Sequence, residues 1–164
     1  MNAKMQDREC AVSSNIIDGI LKEKGRVVTV PVGFSMWPML KNRKDHIVIE
    51  PLKRPLKKYD VPLYRYNGGV KYVLHRIIKI NKDGSYVICG DNLWRKERKV
   101  TDEMISGVLV GFFKGERYID CETDKRYHIY IRIWRFIYPV RVAVMFAKRI
   151  LGAIKRRIKR ITMR

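Results

Sequence analysis

Short runs of alternating apolar and polar residues make up most of the chain between positions 26 and 113. They are rich in β-branched and aromatic residues and are separated by Gly, Pro, Asn and Asp, a pattern typical of strands joined by turns. The runs are RVVTVPVG (26–33), DHIVIEPL (45–52), VPLYRY (61–66), VKYVLHRIIKI (70–80), SYVICG (85–90) and ISGVLVGFF (105–113). Asn67-Gly68-Gly69 and Lys82-Asp83-Gly84 predict hairpin turns. The middle of the chain is therefore predicted to be mostly antiparallel β.

A helical pattern precedes the first strand. Its apolar residues recur at spacings of one, three and one, and polar residues that favour helix N-termini come directly before it. The apolar positions are Ile16, Ile17, Ile20 and Leu21, the candidate caps are Ser13, Ser14 and Asn15, and Gly25 is the predicted end. We expect this short helix to lean on the β domain.

Another helical pattern fills the C-terminal region. After Pro139, apolar residues alternate spacings of four and three, and residues 126–164 contain no acidic residue. The stripe consists of Val140, Val144, Ala147, Leu151, Ile154, Ile158 and Ile161. This pattern predicts an amphipathic helix with a cationic face. With 164 residues in all, three regions are expected: a helical extension at 1–25, one mostly β domain at 26–125 and a basic tail at 126–164.

The formal net charge of +20 requires an anionic partner to be considered, whether membrane, nucleic acid or acidic peptide. A membrane span over 127–147 would bury Arg132, Arg135 and Arg141, each costing about 2.5–3.5 kcal/mol near the bilayer centre. Its apolar residues return only about 0.3–0.6 kcal/mol each, so a position on the membrane surface is favoured. The cationic side chains expected there are Arg141, Lys148, Arg149, Lys155 and Arg156.

The three cysteines, Cys10, Cys89 and Cys121, are widely separated, so their spacing indicates neither a disulfide framework nor a metal site. No apolar run of signal-peptide length stands near the N-terminus. We therefore expect a protein on the cytoplasmic side, peripheral to the membrane, with no metal and no cofactor.

Candidate chemistry lies in three blocks. Gly33-Phe34-Ser35-Met36-Trp37-Pro38 follows the first strand, Leu74-His75-Arg76 lies in a later one, and Gly90-Asp91-Asn92 follows a third. A serine at the junction of strand and loop can present its hydroxyl beside free backbone N–H groups, as an acyl-transfer nucleophile requires. An isolated serine would more often be an ordinary turn residue.

These blocks, in this order, resemble those of signal peptidase I and the LexA-like serine peptidases, between about Val27 and Phe113. The resemblance implies a mostly β, antiparallel barrel-like domain. It also implies an endopeptidase that cleaves an extended precursor or leader peptide, with Ser35 as nucleophile and His75 as general base. Lysine fills the base position in bacterial members, whereas the endoplasmic-reticulum and archaeal type has histidine. Histidine suits the role because its ordinary pKa of about 6.5 leaves it largely neutral at working pH.

Several roles stay open within this resemblance. Asp91 is the first candidate to orient His75, with Glu97 and Asp102 as alternatives, and Lys71 is the only credible alternative base. Around the nucleophile, the substrate and oxyanion contacts are assigned to Gly33, Met36 and Pro38. Many signal peptidases have a serine where Gly33 stands, so the backbone N–H of Ser35 remains as the oxyanion donor.

The preferred hypothesis is a stand-alone processing peptidase that its basic tail holds at an anionic membrane. One alternative is a non-catalytic module with the peptidase fold that binds membrane or nucleic acid through the tail; nucleic acid is the less expected partner. A self-cleaving regulator is disfavoured because no DNA-binding domain precedes the serine block.

Overall fold

The computed structural model describes residues 16–66 and 71–162, with the side chains at 148, 149 and 153–162 outside the description. Residues 16–24 are helical and are called α1. Leu21 is buried in the core, Ile17 and Ile20 pack against that core, and Gly25 ends the helix at a φ of 65°. The predicted helix, its lean on the domain and its end are thus confirmed. The candidate caps, residues 13–15, lie outside the described residues.

The described residues form nine strands, with a single 3-10 turn at Asp102–Met104. The strands are β1 Val27–Thr29, β2 His46–Glu50, β3 Pro62–Tyr66, β4 Lys71–Leu74, β5 Arg76–Ile80, β6 Tyr86–Cys89, β7 Glu97–Val100, β8 Ile105–Lys114 and β9 Arg117–Asp120. The predicted turn at residues 82–84 joins β5 to β6, with Gly84 at a φ of 80°. The other predicted hairpin turn, residues 67–69, lies outside the described residues.

All strand pairs are antiparallel and fall into two sheets. The larger sheet has the order β1-β2-β8-β3-β4, with β9 also paired to β8, and it curls into a half-barrel. The smaller sheet has the order β5-β6-β7. The prediction of a mostly β protein with a helix at each end is confirmed.

The run predicted as one strand over 70–80 is in fact two strands in different sheets. β4 pairs with β3 in the larger sheet, and β5 pairs with β6 in the smaller sheet. His75 lies between them, in neither strand. The histidine therefore stands where the chain crosses from one sheet to the other.

The last element, helix α2, spans Lys125–Thr162 and carries Pro139 inside it. The tail helix was expected to begin after Pro139, but it begins at Lys125, fourteen residues before that proline. Its first turns belong to the core: Tyr127 and Trp134 are buried, and Tyr127 packs with the strands of the larger sheet. The first part of the tail is therefore a structural part of the β domain.

Candidate active site

Ser35 lies in a tight turn that follows β1, closed by a hydrogen bond from the Trp37 N–H to the Phe34 carbonyl oxygen (3.2 Å). The Ser35 residue is half-buried, whereas Phe34 and Trp37 are exposed. Met36 was expected to contact substrate, but it is 5% exposed and packs in the core. Its side chain therefore anchors the turn. Pro38, the other predicted contact on this side, is half-buried.

Gly33, two residues before Ser35, has a φ of 106°. Residues with a side chain rarely adopt this conformation, so a glycine is required. Its N–H donates to Asn42 Oδ1 at 2.8 Å. A serine at this position would be strained.

His75 and the Ser35 turn both lie close to Gly90. A Cβ added to Gly90 would lie 2.7 Å from the Ser35 carbonyl oxygen and 3.1 Å from His75 Nε2. Both residues therefore border the space that a side chain at position 90 would fill. Within the described part of the chain, no direct hydrogen bond joins the Ser35 hydroxyl to His75. Catalytic hydrogen bonds of this kind are often long before substrate binds.

The other ring nitrogen of His75 is bound to Glu97. Nδ1 lies 3.0 Å from Glu97 Oε1, and the Tyr64 hydroxyl donates to Glu97 Oε2. The imidazole is only 5% exposed. A proton on Nδ1, shared with the carboxylate, leaves Nε2 free to accept one on the side of Ser35. Glu97 thus fixes both the orientation of the ring and its tautomer.

Electrostatics keep Glu97 ionised. Burial by itself would raise the pKa of this carboxyl, but the hydrogen bonds from His75 and Tyr64 outweigh it and hold the pKa below its ordinary value. The pKa of Tyr64 is raised, first by burial and then by its bond to Glu97. Tyr64 therefore stays a neutral donor beside a charged acceptor.

Asp91, the first candidate for orienting His75, is engaged elsewhere. Its two oxygens accept from Arg76 Nε and a terminal nitrogen of Arg76, both at 2.8 Å, and Tyr130 also donates to Oδ2. Asp91 and Arg76 are fully buried as an ion pair. The third candidate, Asp102, accepts from Tyr86. Glu97 is thus the carboxylate on His75, and the preference for Asp91 in this role is corrected.

The ion pair of Arg76 and Asp91 attaches helix α2 to the site. All five N–H groups of Arg76 have acceptors, supplied by Asp91, Tyr59, Tyr127 and Met39. The guanidinium carbon lies 5.5–5.9 Å from the ring centres of three aromatic residues of α2, which are Tyr127, Tyr130 and Trp134. Asp91 is therefore a structural residue that holds β5 and α2 together beside His75.

Lys71, the alternative base, and the other two histidines of the chain, His46 and His128, have surroundings different from those of His75. Lys71 is exposed at the far end of β4, roughly 13 Å along the chain from His75 at the rise of an extended strand. His46 is exposed at the start of β2, and His128 Nε2 is bonded to the Glu122 carbonyl oxygen. Within the described part of the chain, no hydrogen bond or ion pair joins any of them to the Ser35 turn.

One predicted membrane contact of the tail turns inward instead. A terminal nitrogen of Arg141 donates to Asn92 Oδ1 at 2.7 Å, and its guanidinium carbon lies 5.9 Å from the centre of the Trp37 ring. Arg141 thus binds the domain rather than a lipid surface, which corrects that assignment. The other predicted contacts, Lys148, Arg149, Lys155 and Arg156, belong to α2, but their side chains lie outside the description.

Sequence reasoning missed three contributors to the site: Tyr64, Asn92 as a contact of the Ser35 turn, and the aromatic face of α2. Only the last had a usable signal, since Tyr127, Tyr130, Trp134 and Tyr138 recur at helical spacing. Over the described ranges 16–66 and 71–162, no cluster of His, Cys, Asp and Glu could hold a metal ion, and no helix is apolar and long enough to cross a bilayer. Cys89 and Cys121 are free thiols.

Comparisons with protein-family models, with curated proteins and with solved structures give no match to this chain.

Proposed function

We propose that the protein is a serine endopeptidase in which Ser35 is the nucleophile, His75 the general base and Glu97 the carboxylate that orients it. The observation that supports this most strongly is the arrangement around His75. Its Nδ1 binds a carboxylate, while its Nε2 and the Ser35 backbone lie beside the same glycine, Gly90. The order carboxylate, imidazole, serine is the one that activates a hydroxyl for acyl transfer.

In the proposed mechanism the Ser35 oxygen attacks a peptide carbonyl carbon as its proton passes to His75 Nε2. The resulting oxyanion accepts a hydrogen bond from the Ser35 N–H. No described residue accepts from that N–H within the protein, so it is available. The tetrahedral intermediate collapses, the C–N bond breaks, and the leaving amine takes the proton from Nε2. Water then hydrolyses the acyl-enzyme with His75 again as base.

The substrate is proposed to be an extended segment of a precursor or leader peptide. β1 and β4, at the two ends of the strand order, are edge strands of the curled sheet, as is β9, which pairs only with β8. β1 leads into the Ser35 turn, and β4 leads directly into His75. An extended peptide that adds to such an edge gains main-chain hydrogen bonds and is delivered to the dyad.

A fluorophosphonate probe tests the proposal, because it reacts with activated serines. Wild type should be labelled, and Ser35→Ala and His75→Ala should lose labelling. Ser106→Ala and His46→Ala are matched controls away from the site and should be labelled like wild type. Labelling that survives both Ser35→Ala and His75→Ala would reject the dyad, and so would a wild-type protein that stays unlabelled while it remains folded.

We further propose that the protein docks on an anionic membrane surface through α2. The helix face opposite its buried aromatic residues is apolar and exposed: Phe136 is 71% exposed, Val140 62% and Leu151 65%. This exposed face, which differs from the stripe predicted from the sequence, is the proposed docking stripe and consists of Ile129, Ile133, Phe136, Val140, Val144 and Leu151. Arg132 and Arg135 are exposed along the same stretch. An apolar stripe beside cations suits the interface of an anionic bilayer, whereas nucleic acid would call for cations without the apolar stripe.

The alternative, a non-catalytic membrane-binding module, shares this docking surface. It predicts binding to anionic vesicles that is unaffected by Ser35→Ala, together with an unlabelled wild type. The labelling experiment therefore separates the two proposals.

A further inference from the structure

Asn92, the last residue of the Gly90-Asp91-Asn92 block, connects helix α2 to the nucleophile turn. Its backbone N–H donates to the Ser35 carbonyl oxygen at 2.8 Å. The side-chain Nδ2 donates to the Phe34 carbonyl oxygen at 3.1 Å, and Oδ1 accepts from Arg141 of α2 at 2.7 Å. Asn92 therefore holds the peptide groups on both sides of Ser35.

These bonds determine where the Ser35 N–H points. A peptide group is planar and trans, so the Phe34 carbonyl and the Ser35 N–H belong to one rigid unit and point in opposite directions. Because Asn92 holds the Phe34 oxygen toward itself, the Ser35 N–H points away from Asn92, and no described residue accepts a hydrogen bond from it. The Trp37 N–H bonds to the same Phe34 oxygen and supports this setting. An oxyanion donor is effective only when it is fixed before the reaction.

Arg141 in turn fixes the side chain of Asn92. An amide can be turned end for end, which would place Oδ1 rather than Nδ2 against the Phe34 oxygen. A guanidinium that donates to Oδ1 permits only the observed orientation, because it cannot donate to an NH₂ group. Arg141 is half-buried and lies over the Trp37 ring, so the same turn also holds it.

We propose that Asn92 is a positioning residue for the oxyanion-binding N–H of Ser35, and that Arg141 of α2 holds Asn92 in the orientation this requires. The inference rests on the proposed peptidase function and deepens it. It makes helix α2 a functional part of the site, although none of its described side chains bonds to Ser35 or His75.

The test measures labelling by a fluorophosphonate probe, separated into kinact and KI, without vesicles. Attack on the probe places negative charge on its phosphonyl oxygen, so the oxyanion donor acts on kinact. Asn92→Asp keeps the size and the bond to Arg141 but loses the donor to Phe34. It should lower kinact roughly 10- to 100-fold with KI little changed, less than the 10²–10³-fold for complete loss of an oxyanion donor. Arg141→Gln should lower kinact by a smaller factor, and Arg141→Lys, which keeps a donor, should recover part of it.

Arg98→Gln is the matched control, since Arg98 is exposed on β7 and the change removes the same charge. It should keep the wild-type kinact. The inference is overturned if Asn92→Asp labels like wild type, if its loss lies in KI alone, or if Arg98→Gln loses as much as Arg141→Gln. These results differ from failure of the proposed function, in which wild type itself shows no Ser35-dependent labelling and both proposals are rejected together.

Discussion

At the scale of single residues, the approach of Ser35 to His75 depends on the absence of a side chain at Gly90. A Cβ there would lie 2.7 Å from a backbone oxygen, which no ordinary Cβ contact allows. Gly90→Ala must therefore push the Ser35 turn and His75 apart. Because a misplacement of about 1 Å can cost 10²-fold in rate, we expect at least that loss in labelling rate. Gly19→Ala is the control, since nothing lies within 4 Å of a Cβ at that position. Equal labelling of Gly90→Ala and wild type would show that the two groups do not meet there.

Glu97 and Asp91 are two carboxylates with separable tasks. Glu97→Gln removes the charge beside His75 Nδ1 and should lower the labelling rate by about 10²–10⁴-fold while leaving the free energy of unfolding within about 1 kcal/mol of wild type. Asp91→Asn leaves the buried Arg76 charge without its counterion and should cost about 3–5 kcal/mol of stability. Urea unfolding and probe labelling of the same samples check both. The reverse pattern, with activity lost at position 91 and stability lost at 97, would restore Asp91 as the orienting residue. Glu103→Gln, an exposed carboxylate, should change neither quantity.

Part of this candidate site could be predicted from the sequence. Ser35 and His75 stood out because each lies in a recognisable block, and Glu97 was an alternative only because it is the sole acid before Asp102 in its segment. Choosing between Glu97 and Asp91 required knowing which side chains meet across two sheets. Local sequence does not show that Arg76 takes both oxygens of Asp91.

At the scale of elements, α2 presents different chemistry on its two sides. Phe136 is exposed and contacts no buried cluster, so Phe136→Asn should leave the fold intact. It should weaken binding to vesicles of phosphatidylglycerol and phosphatidylcholine roughly ten- to hundredfold, given about 1.5–3 kcal/mol for burying such a side chain. Vesicle flotation measures this.

The control for this element is Ile80→Asn, an exposed apolar residue on β5, which should bind vesicles like wild type. Wild type should also bind poorly to vesicles of phosphatidylcholine alone, since the cations contribute only at an anionic surface. If Phe136→Asn and Ile80→Asn bind alike, the stripe is not the docking surface.

Some helices and strands could be predicted from the sequence and others could not, for physical reasons. Strands with one buried face could be predicted, because the alternation of apolar and polar residues reflects the burial of that face. β7 and β9 were missed because they read ERKV and RYID and bury few side chains. The 70–80 run looked continuous because the crossing between sheets at His75 leaves no break in apolar pattern. The sequence pattern predicts too late a start for helix α2 because a proline usually marks a helix boundary, whereas in the fold Pro139 lies exposed within the helix.

At the scale of the whole molecule, the excess of positive charge makes stability sensitive to acid. The pKa of Glu50 is lowered by hydrogen bonds from Lys53 and Arg26, and that of Glu97 is below its ordinary value of 4.5. Groups with a depressed folded-state pKa stabilise the fold fully above their ordinary pKa and lose that contribution as the pH falls through the folded-state pKa. Protonating carboxylates also increases the repulsion of a chain that already carries +20.

We therefore expect the free energy of unfolding to be nearly constant from pH 7 to about 5 and to fall steeply below about pH 4. The loss should be smaller in 0.5 M salt, because salt screens the repulsion. Urea unfolding at a series of pH values measures this. A stability that stays level down to pH 3 would contradict the assigned ion pairs.

The central claim, that His75 activates Ser35 for covalent chemistry, is tested most directly by mapping the fluorophosphonate adduct with peptide mass spectrometry. A single adduct on the Ser35 side chain is expected in the wild-type protein, and it should be lost in His75→Ala. An adduct on any other residue, or one on Ser35 that forms at the wild-type rate without His75, would contradict it.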